Sequence, residues 1–204
     1  VGKPAVFLRT AGCPLRCLYC DTKYAWQVGN KQEVNVLVSQ VREFHYPYVV
    51  ITGGEPLSQK ALSELILAIS SLDFVRLIDV ESSGCIFRDD FFYRKVRLTL
   101  SPKPPSMGVE FPGSNVLKFL SLDKPIFLKF PILDEEDFEF IKDFLYENKQ
   151  LIREEIVLQP ISNPAEDYRE TVKRVIELVI SDKKFMNDFD VRVLPQVHKL
   201  IGIK

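Results

Sequence analysis

No hydrophobic stretch in this 204-residue chain approaches the roughly 20 residues that a membrane-spanning helix needs. No charge of one sign dominates either. Lys and Arg number 27 against 28 Asp and Glu, a net charge of -1, so the electrostatic footprint of a nucleic-acid binder is missing. No signal-type segment precedes the first apolar run, and there are no internal repeats or low-complexity tracts. A soluble, cytoplasmic protein is expected, with neither membrane nor nucleic acid as a partner. Cysteine is scarce: there are four, and three fall within eight residues, too crowded to make a disulfide framework. What the chain does have is a 46% hydrophobic composition, enough for one domain over residues 1–204 with a substantial core.

Apolar, β-branched runs at residues 4–10, 48–52, 75–80, 96–100, 126–130, 155–159 and 191–194 read as strands. Helical spacing fills residues 34–44, 58–71, 135–148 and 164–180, each opening near Asn, Ser, Asp or Pro. The alternation predicts an α/β fold with a mostly parallel sheet. Six or seven strands are too few for a closed eight-stranded barrel, so an open or partial one is expected, with functional residues at the strand C-termini. Residues 101–113, with four prolines and two glycines, read as an irregular loop serving as a lid. Phe91, Phe92 and Tyr93 read as packing for a short helix.

The polar and glycine-rich signatures fall just after predicted strands. Cys13, Cys17 and Cys20 form a C-x3-C-x2-C cluster after the first. Three thiolates can hold three irons of a [4Fe-4S] cube and leave the fourth open, whereas closed structural sites take four protein ligands. Thr52-Gly53-Gly54-Glu55-Pro56 follows the second strand, Glu81-Ser82-Ser83-Gly84 the third, Ser101-Pro102-Lys103 the fourth, and Gln159-Pro160-Ile161-Ser162 the sixth. The glycine pair allows a ligand or backbone to approach without a Cβ in the way.

With the cysteine spacing and Gly-Gly-Glu-Pro standing in this order, the chain resembles the radical S-adenosylmethionine superfamily. The resemblance implies a partial (β/α)6-type barrel and a [4Fe-4S] cluster on Cys13, Cys17 and Cys20. S-adenosylmethionine would chelate the open iron and yield a 5'-deoxyadenosyl radical on reductive cleavage, with Gly54 holding its methionyl amine through backbone oxygen.

A narrower resemblance rests on Gly2, Pro4 to Thr10 and Gly12 before Cys13, on Asp21, Thr22, Tyr24 and Ala25 after Cys20, on Ser101-Pro102-Lys103, and on Pro195-Gln196-x-His198-Lys199. These are similar to the 7-carboxy-7-deazaguanine synthases, lyases that contract 6-carboxy-5,6,7,8-tetrahydropterin to 7-carboxy-7-deazaguanine with loss of ammonia, on the route to queuosine. By matching position the resemblance assigns Arg9 and Thr52 to substrate and Thr22 to Mg2+. It assigns Gly54, Ser101, Pro102, Lys103, Gln159, Pro160, Ile161 and Ser162 to S-adenosylmethionine. Glu81 is a further candidate substrate contact. Arg9 suits a carboxylate because its guanidinium is a planar fork, and Mg2+ takes few protein oxygens, so one threonine suffices beside a substrate carboxylate. Partners implied are the pterin, an electron donor such as flavodoxin or ferredoxin, and a second copy in a homodimer. The resemblance also leads one to expect a leading strand with a Gln-Gly-Glu-Gly turn, which the sequence from Val1 onward does not include, and Glu-Ser-Ser-Gly stands where Glu-Thr-Asn-Gly is expected.

Plainer readings stand beside these. The thiols could hold zinc completed by His45, His198 or Cys85, as a non-enzymatic zinc or iron-sulfur module. Arg9 could be a surface ion pair, Thr22 an N-cap hydroxyl, Lys103 a solvated loop lysine, and Glu81 a strand-end cap. Tyr19 and Trp26 would shield the cluster or cover an adenine. A glycyl-radical activase, which shares the cysteine spacing and acts on a protein, is the alternative enzyme.

Overall fold

In the computed structural model, which describes residues 3–27 and 29–202, seven parallel strands form one sheet in strict chain order. They are β1 (Val6–Thr10), β2 (Tyr48–Gly53), β3 (Leu77–Ser82), β4 (Val96–Leu100), β5 (Ile126–Ile132), β6 (Ile156–Pro160) and β7 (Val191–Val193). The connecting helices are α1 (Val34–Phe44), α2 (Leu62–Ser70), α3 (Gly113–Leu120), α4 (Glu135–Glu147), α5 (Tyr168–Ser181), α6 (Lys183–Asp188) and α7 (Val197–Leu200). β1 and β7 are the two edges and do not pair with each other, so this is the open, partial barrel expected from the strand count.

Side chains alternate across each strand, and the register shows what each face does. One face carries Val49 and Ile51, Ile78 and Val80, Leu98 and Leu100, Leu128, and Ile156 and Leu158, all buried in the main core with Ile66, Ile69, Phe119, Ile141, Leu145 and Val175 from the helices. The other face carries Arg9, Thr52, Asp79 and Glu81, Arg97 and Thr99, Lys129 and Gln159. With the apolar face covered by helices, the mixed opposite face, which also carries Phe7, Val50, Phe127 and Val157, forms the wall of an open lumen.

Capping explains several helix starts. Asp134 accepts from the Asp137 amide at 3.1 Å to open α4, Asp167 accepts from Arg169 at 2.9 Å to open α5, and Asp182 accepts from Phe185 at 2.9 Å to open α6. His45, at φ 53°, closes α1 in the left-handed conformation.

Two sequence expectations change here. The segment 101–113 is no loose lid. It holds a 3-10 turn at Pro105–Met107, Met107 packs into a small core with Cys17, Leu133 and Ile161, and the Leu18 amide donates to the Met107 carbonyl at 3.0 Å. Ser106 donates through its amide (3.1 Å) and hydroxyl (2.6 Å) to Asp137, a fully buried carboxylate. Phe91, Phe92 and Tyr93 do not form a helix; they make a turn in which buried Phe91 stacks on Phe92 at 4.5 Å between ring centroids. Burial of the ring, not helical periodicity, places them.

Candidate active site

A cleft of about 910 Å³, its mouth included, lies across the C-terminal ends of the strands, and all seven strand ends contribute to it. After β1 come Cys13, Cys17 and Cys20 with Asp21 and Thr22. From β2 come Thr52, Gly53 and Gly54, from β3 Glu81, Ser82 and Ser83, and after β4 Ser101, Lys103 and Met107. Lys129 and Pro131 of β5, Gln159 and Ile161 at β6, and Gln196 beyond β7 complete the wall.

The glycine pair shows why this junction is so tight. A Cβ on Gly53 would lie 2.1 Å from the Thr10 carbonyl oxygen, and one on Gly54 would lie 2.2 Å from that of Gly12. The space is taken by hydrogen bonds from Gly54 N to Thr10 O and from Glu55 N to Gly12 O, both 2.9 Å. Gly53 also sits at φ +144°, which L side chains rarely adopt. The end of β2 is thereby clamped against the cysteine loop.

Glu55 is fully buried and serves as a hub. Its Oε1 accepts from the Leu57 amide (3.0 Å) and the Ser82 hydroxyl (2.8 Å), and its Oε2 from the Ser83 amide (2.9 Å) and hydroxyl (2.5 Å). A carboxylate this far from water is tolerable because its lone pairs are filled. It joins the β2 and β3 turns.

The three thiols are free, Cys17 buried and the other two half-buried. Burial pushes Cys13 and Cys17 above the ordinary thiol range, and the neighbouring thiols add to it. Iron ligation would reverse that preference, since a metal takes the thiolate. Among the described residues, no three His, Cys, Asp or Glu side chains are grouped as a single metal ion requires. All three thiols line the same cleft, and a cube takes one thiolate per iron. They fit the cluster. The zinc reading loses its extra ligands: His45 stacks on Phe74 at 4.1 Å, His198 is exposed, and neither lines the cleft. Cys85, whose thiol faces the Glu55 carboxylate at 3.9 Å, is pushed up to about 11 by burial and lies outside the lining.

Thr22 stands at the N-cap of a 3-10 turn, Lys23–Trp26, yet its hydroxyl makes no capping bond and lies 3.6 Å from the Cys20 sulfur, on the cleft. Lys103 is no solvated loop lysine. It lines the cleft and donates to the Ser101 hydroxyl at 2.9 Å, and burial lowers its pKa. On the lumen wall, Glu81 accepts from Lys129 at 3.0 Å and from the Thr52 hydroxyl at 3.2 Å. Burial works to raise the Glu81 pKa, but the Lys129 charge and hydrogen bond with the Thr52 hydroxyl outweigh it and leave the group below the ordinary 4.5. Tyr19 and Trp26 both line the cleft.

Of the remaining sequence candidates, Pro102, Pro160 and Ser162 flank the lining without joining it. Arg9 is exposed, 5.8 Å over the Tyr24 ring, and outside the lining, although its register with Thr52 puts it on the lumen face. Gly2 lies outside the described residues. Sequence reasoning missed Lys129, and it quotes Asp21 and Gln196 only as part of the resemblance, with no site role. A lysine in the middle of an apolar strand was the available signal for Lys129.

A rim of three thiols at the strand ends of an open parallel barrel, beside a Gly-Gly-Glu turn, defines an iron-sulfur enzyme of the radical type. The family model described as Radical SAM superfamily matches residues 7–110. The chain is 32% identical over 204 residues to the 7-carboxy-7-deazaguanine synthase of Pyrobaculum aerophilum, covering 97% of this chain and 86% of that one. It is 32% identical over 210 residues to the enzyme of the same name from Aquifex aeolicus, covering 100% and 87%. QueE from Escherichia coli superposes with a TM-score of 0.63 over 95% of this chain and 86% of that one, at 24% identity, a likeness of fold. The chain belongs to the Radical SAM superfamily and, within it, to the family of the 7-carboxy-7-deazaguanine synthases.

Proposed function

We propose that this protein is a lyase that converts 6-carboxy-5,6,7,8-tetrahydropterin to 7-carboxy-7-deazaguanine with release of ammonia. The observation that carries the reading is one cleft in which Cys13, Cys17 and Cys20 face Thr52, Glu81 and Lys129, in a chain whose relatives bear that name over nearly its whole length. The [4Fe-4S] cluster, with S-adenosylmethionine bound and one electron supplied, provides the hydrogen-abstracting adenosyl radical.

The residues of this chain bind, orient and exclude water. Gly54 offers close backbone approach for the methionyl amine, and Ser101, Lys103, Gln159 and Ile161 line the neighbouring wall, with Pro102, Pro160 and Ser162 shaping the turns behind them. Glu81, kept ionised beside Lys129, is an acceptor for the donor-rich pyrimidinone edge of a pterin, and Thr52, hydrogen-bonded to it, meets the substrate at the same point. Thr22 presents its hydroxyl where Mg2+ and a substrate carboxylate would meet. Arg9, on the lumen face at the β1 edge, supplies a guanidinium to that carboxylate. Packing of Met107 over Cys17 keeps water from the thiol side.

An external reductant is required, and a flavodoxin or ferredoxin fits the role. A single domain, a homodimer and a cytoplasmic location belong to the same proposal, carried by the family resemblance. The test is anaerobic reconstitution with iron and sulfide, followed by incubation with reductant, S-adenosylmethionine, Mg2+ and 6-carboxytetrahydropterin, with mass spectrometry for the deazaguanine. S-adenosylmethionine cleavage without that product would sink the reading.

A further inference from the structure

Gln196 is buried, 8% exposed, and lines the cleft from the segment after β7. Its position is tightly held. Its backbone amide donates to the Tyr168 hydroxyl at 2.6 Å, and that hydroxyl donates to the Pro160 carbonyl at 3.0 Å. Its side-chain Nε2 donates to the Asp21 carboxylate at 2.8 Å, across 175 residues of sequence. A carboxylate only accepts, so the amide orientation is settled by chemistry: nitrogen to Asp21, oxygen the other way. That oxygen, Oε1, is buried and has no hydrogen-bond partner. An unfilled buried acceptor is destabilising, and a ligand donor would relieve it.

We propose that Gln196 is a substrate-contact residue whose carbonyl oxygen accepts a hydrogen bond from an N-H of the bound heterocycle, and that Asp21 is the positioning residue that turns the amide toward it. The inference rests on the pterin reading above. A reduced pterin carries an exocyclic amine and several ring N-H groups against a single ring carbonyl, so its binding wall must be rich in acceptors. The lumen supplies Glu81 on one side, and Gln196 supplies another from the far edge of the sheet. S-adenosylmethionine also has N-H donors, and the experiment separates the two.

Wild-type protein and Gln196→Met are reconstituted with cluster and compared in three measurements. These are KM for 6-carboxytetrahydropterin, calorimetric binding of 6-carboxypterin as an unreactive analogue with the same pyrimidinone edge, and equilibrium dialysis of S-adenosylmethionine alone. Expected are a KM and an analogue Kd raised about tenfold, as loss of one buried hydrogen bond implies, with cofactor affinity unchanged within about twofold. A charge-swapped pair, Asp21→Asn with Gln196→Glu, keeps both a bridge and a free acceptor and should recover most of the pterin affinity, which a merely structural role for the bridge would not require. Unchanged pterin affinity in Gln196→Met overturns the inference, as does a loss confined to S-adenosylmethionine. Wild-type protein that makes no deazaguanine refutes the underlying reading instead, so the two failures are distinguishable.

Discussion

Glu55 and Ser83, 28 residues apart, are joined twice through one carboxylate oxygen, which accepts from the Ser83 amide at 2.9 Å and its hydroxyl at 2.5 Å. This bond carries the end of β2 to the turn after β3 in a place closed to water. Glu55→Gln puts an amide donor against one of these donors. The expected cost is about 2–4 kcal/mol of stability, read as a lower urea midpoint with an unchanged slope. A variant as stable as wild type would mean that Glu55 is not the hub.

Cysteine variants separate the ligands from the bystander. Serine at Cys13, Cys17 or Cys20 should each leave reconstituted protein well short of the about four irons per chain of an intact cube. Cys85→Ser should keep the iron content and the absorbance band of the cluster, because Cys85 faces Glu55 rather than the cleft. Iron lost on changing Cys85, and kept on changing any of the other three, would reassign the site.

The Glu81 to Lys129 pair predicts a pH dependence with a definite sign. The folded pKa of Glu81 is depressed, so its contribution to stability is complete above its unfolded value near 4.5 and is lost as the pH falls through the lower folded value. Lys129→Met removes the largest opposing influence, and burial then pushes Glu81 up. The acid limb of kcat/KM should move toward neutral pH in this variant, and the rise of stability with pH seen in wild type below 4.5 should be lost. Superimposable profiles would rule the pairing out as a determinant of the Glu81 charge.

Gly54→Ala tests the clamp between β1 and β2. The added carbon would meet a backbone oxygen at 2.2 Å, and backbone cannot swing aside as a side-chain tip can. A loss of about 2–3 kcal/mol is expected, together with weakened S-adenosylmethionine binding measured by dialysis. Full retention of cofactor affinity would place the methionyl amine elsewhere.

Much of this arrangement was legible because it is local. The cysteine spacing, Gly53-Gly54-Glu55 and Ser101-Pro102-Lys103 are contiguous runs, and each does reach the cleft after its strand. β4 and α1 fall where β-branched residues and helical spacing put them. α3 escaped notice because it is eight residues long, opens on Gly113 and has no capping side chain at Pro112. α6 and α7, with six and four residues, are too short for a hydrophobic period to show. Gln196 stands in a motif the sequence shows, but its contact does not: its partner is Asp21, and no window along the chain contains both. Arg9, assigned to substrate by the resemblance alone, sits on the lumen face of an edge strand with its side chain exposed.

The chain-order sheet has a consequence for how the protein is made. Register offsets between neighbouring strands run from 18 residues for Ile78 with Val96 to 43 for Val6 with Val49, so a chain leaving the ribosome meets each new strand's partner soon after it emerges. The barrel wall can therefore be laid down one stave at a time, in order of synthesis, with little loop-closure entropy at any step. The contact of Asp21 with Gln196 belongs to another scale and waits until nearly the whole chain is out. Thiols and glycine turn are in place early, while the far side of the mouth arrives last, so a chain halted before residue 196 would own the cluster loop without the wall that faces it.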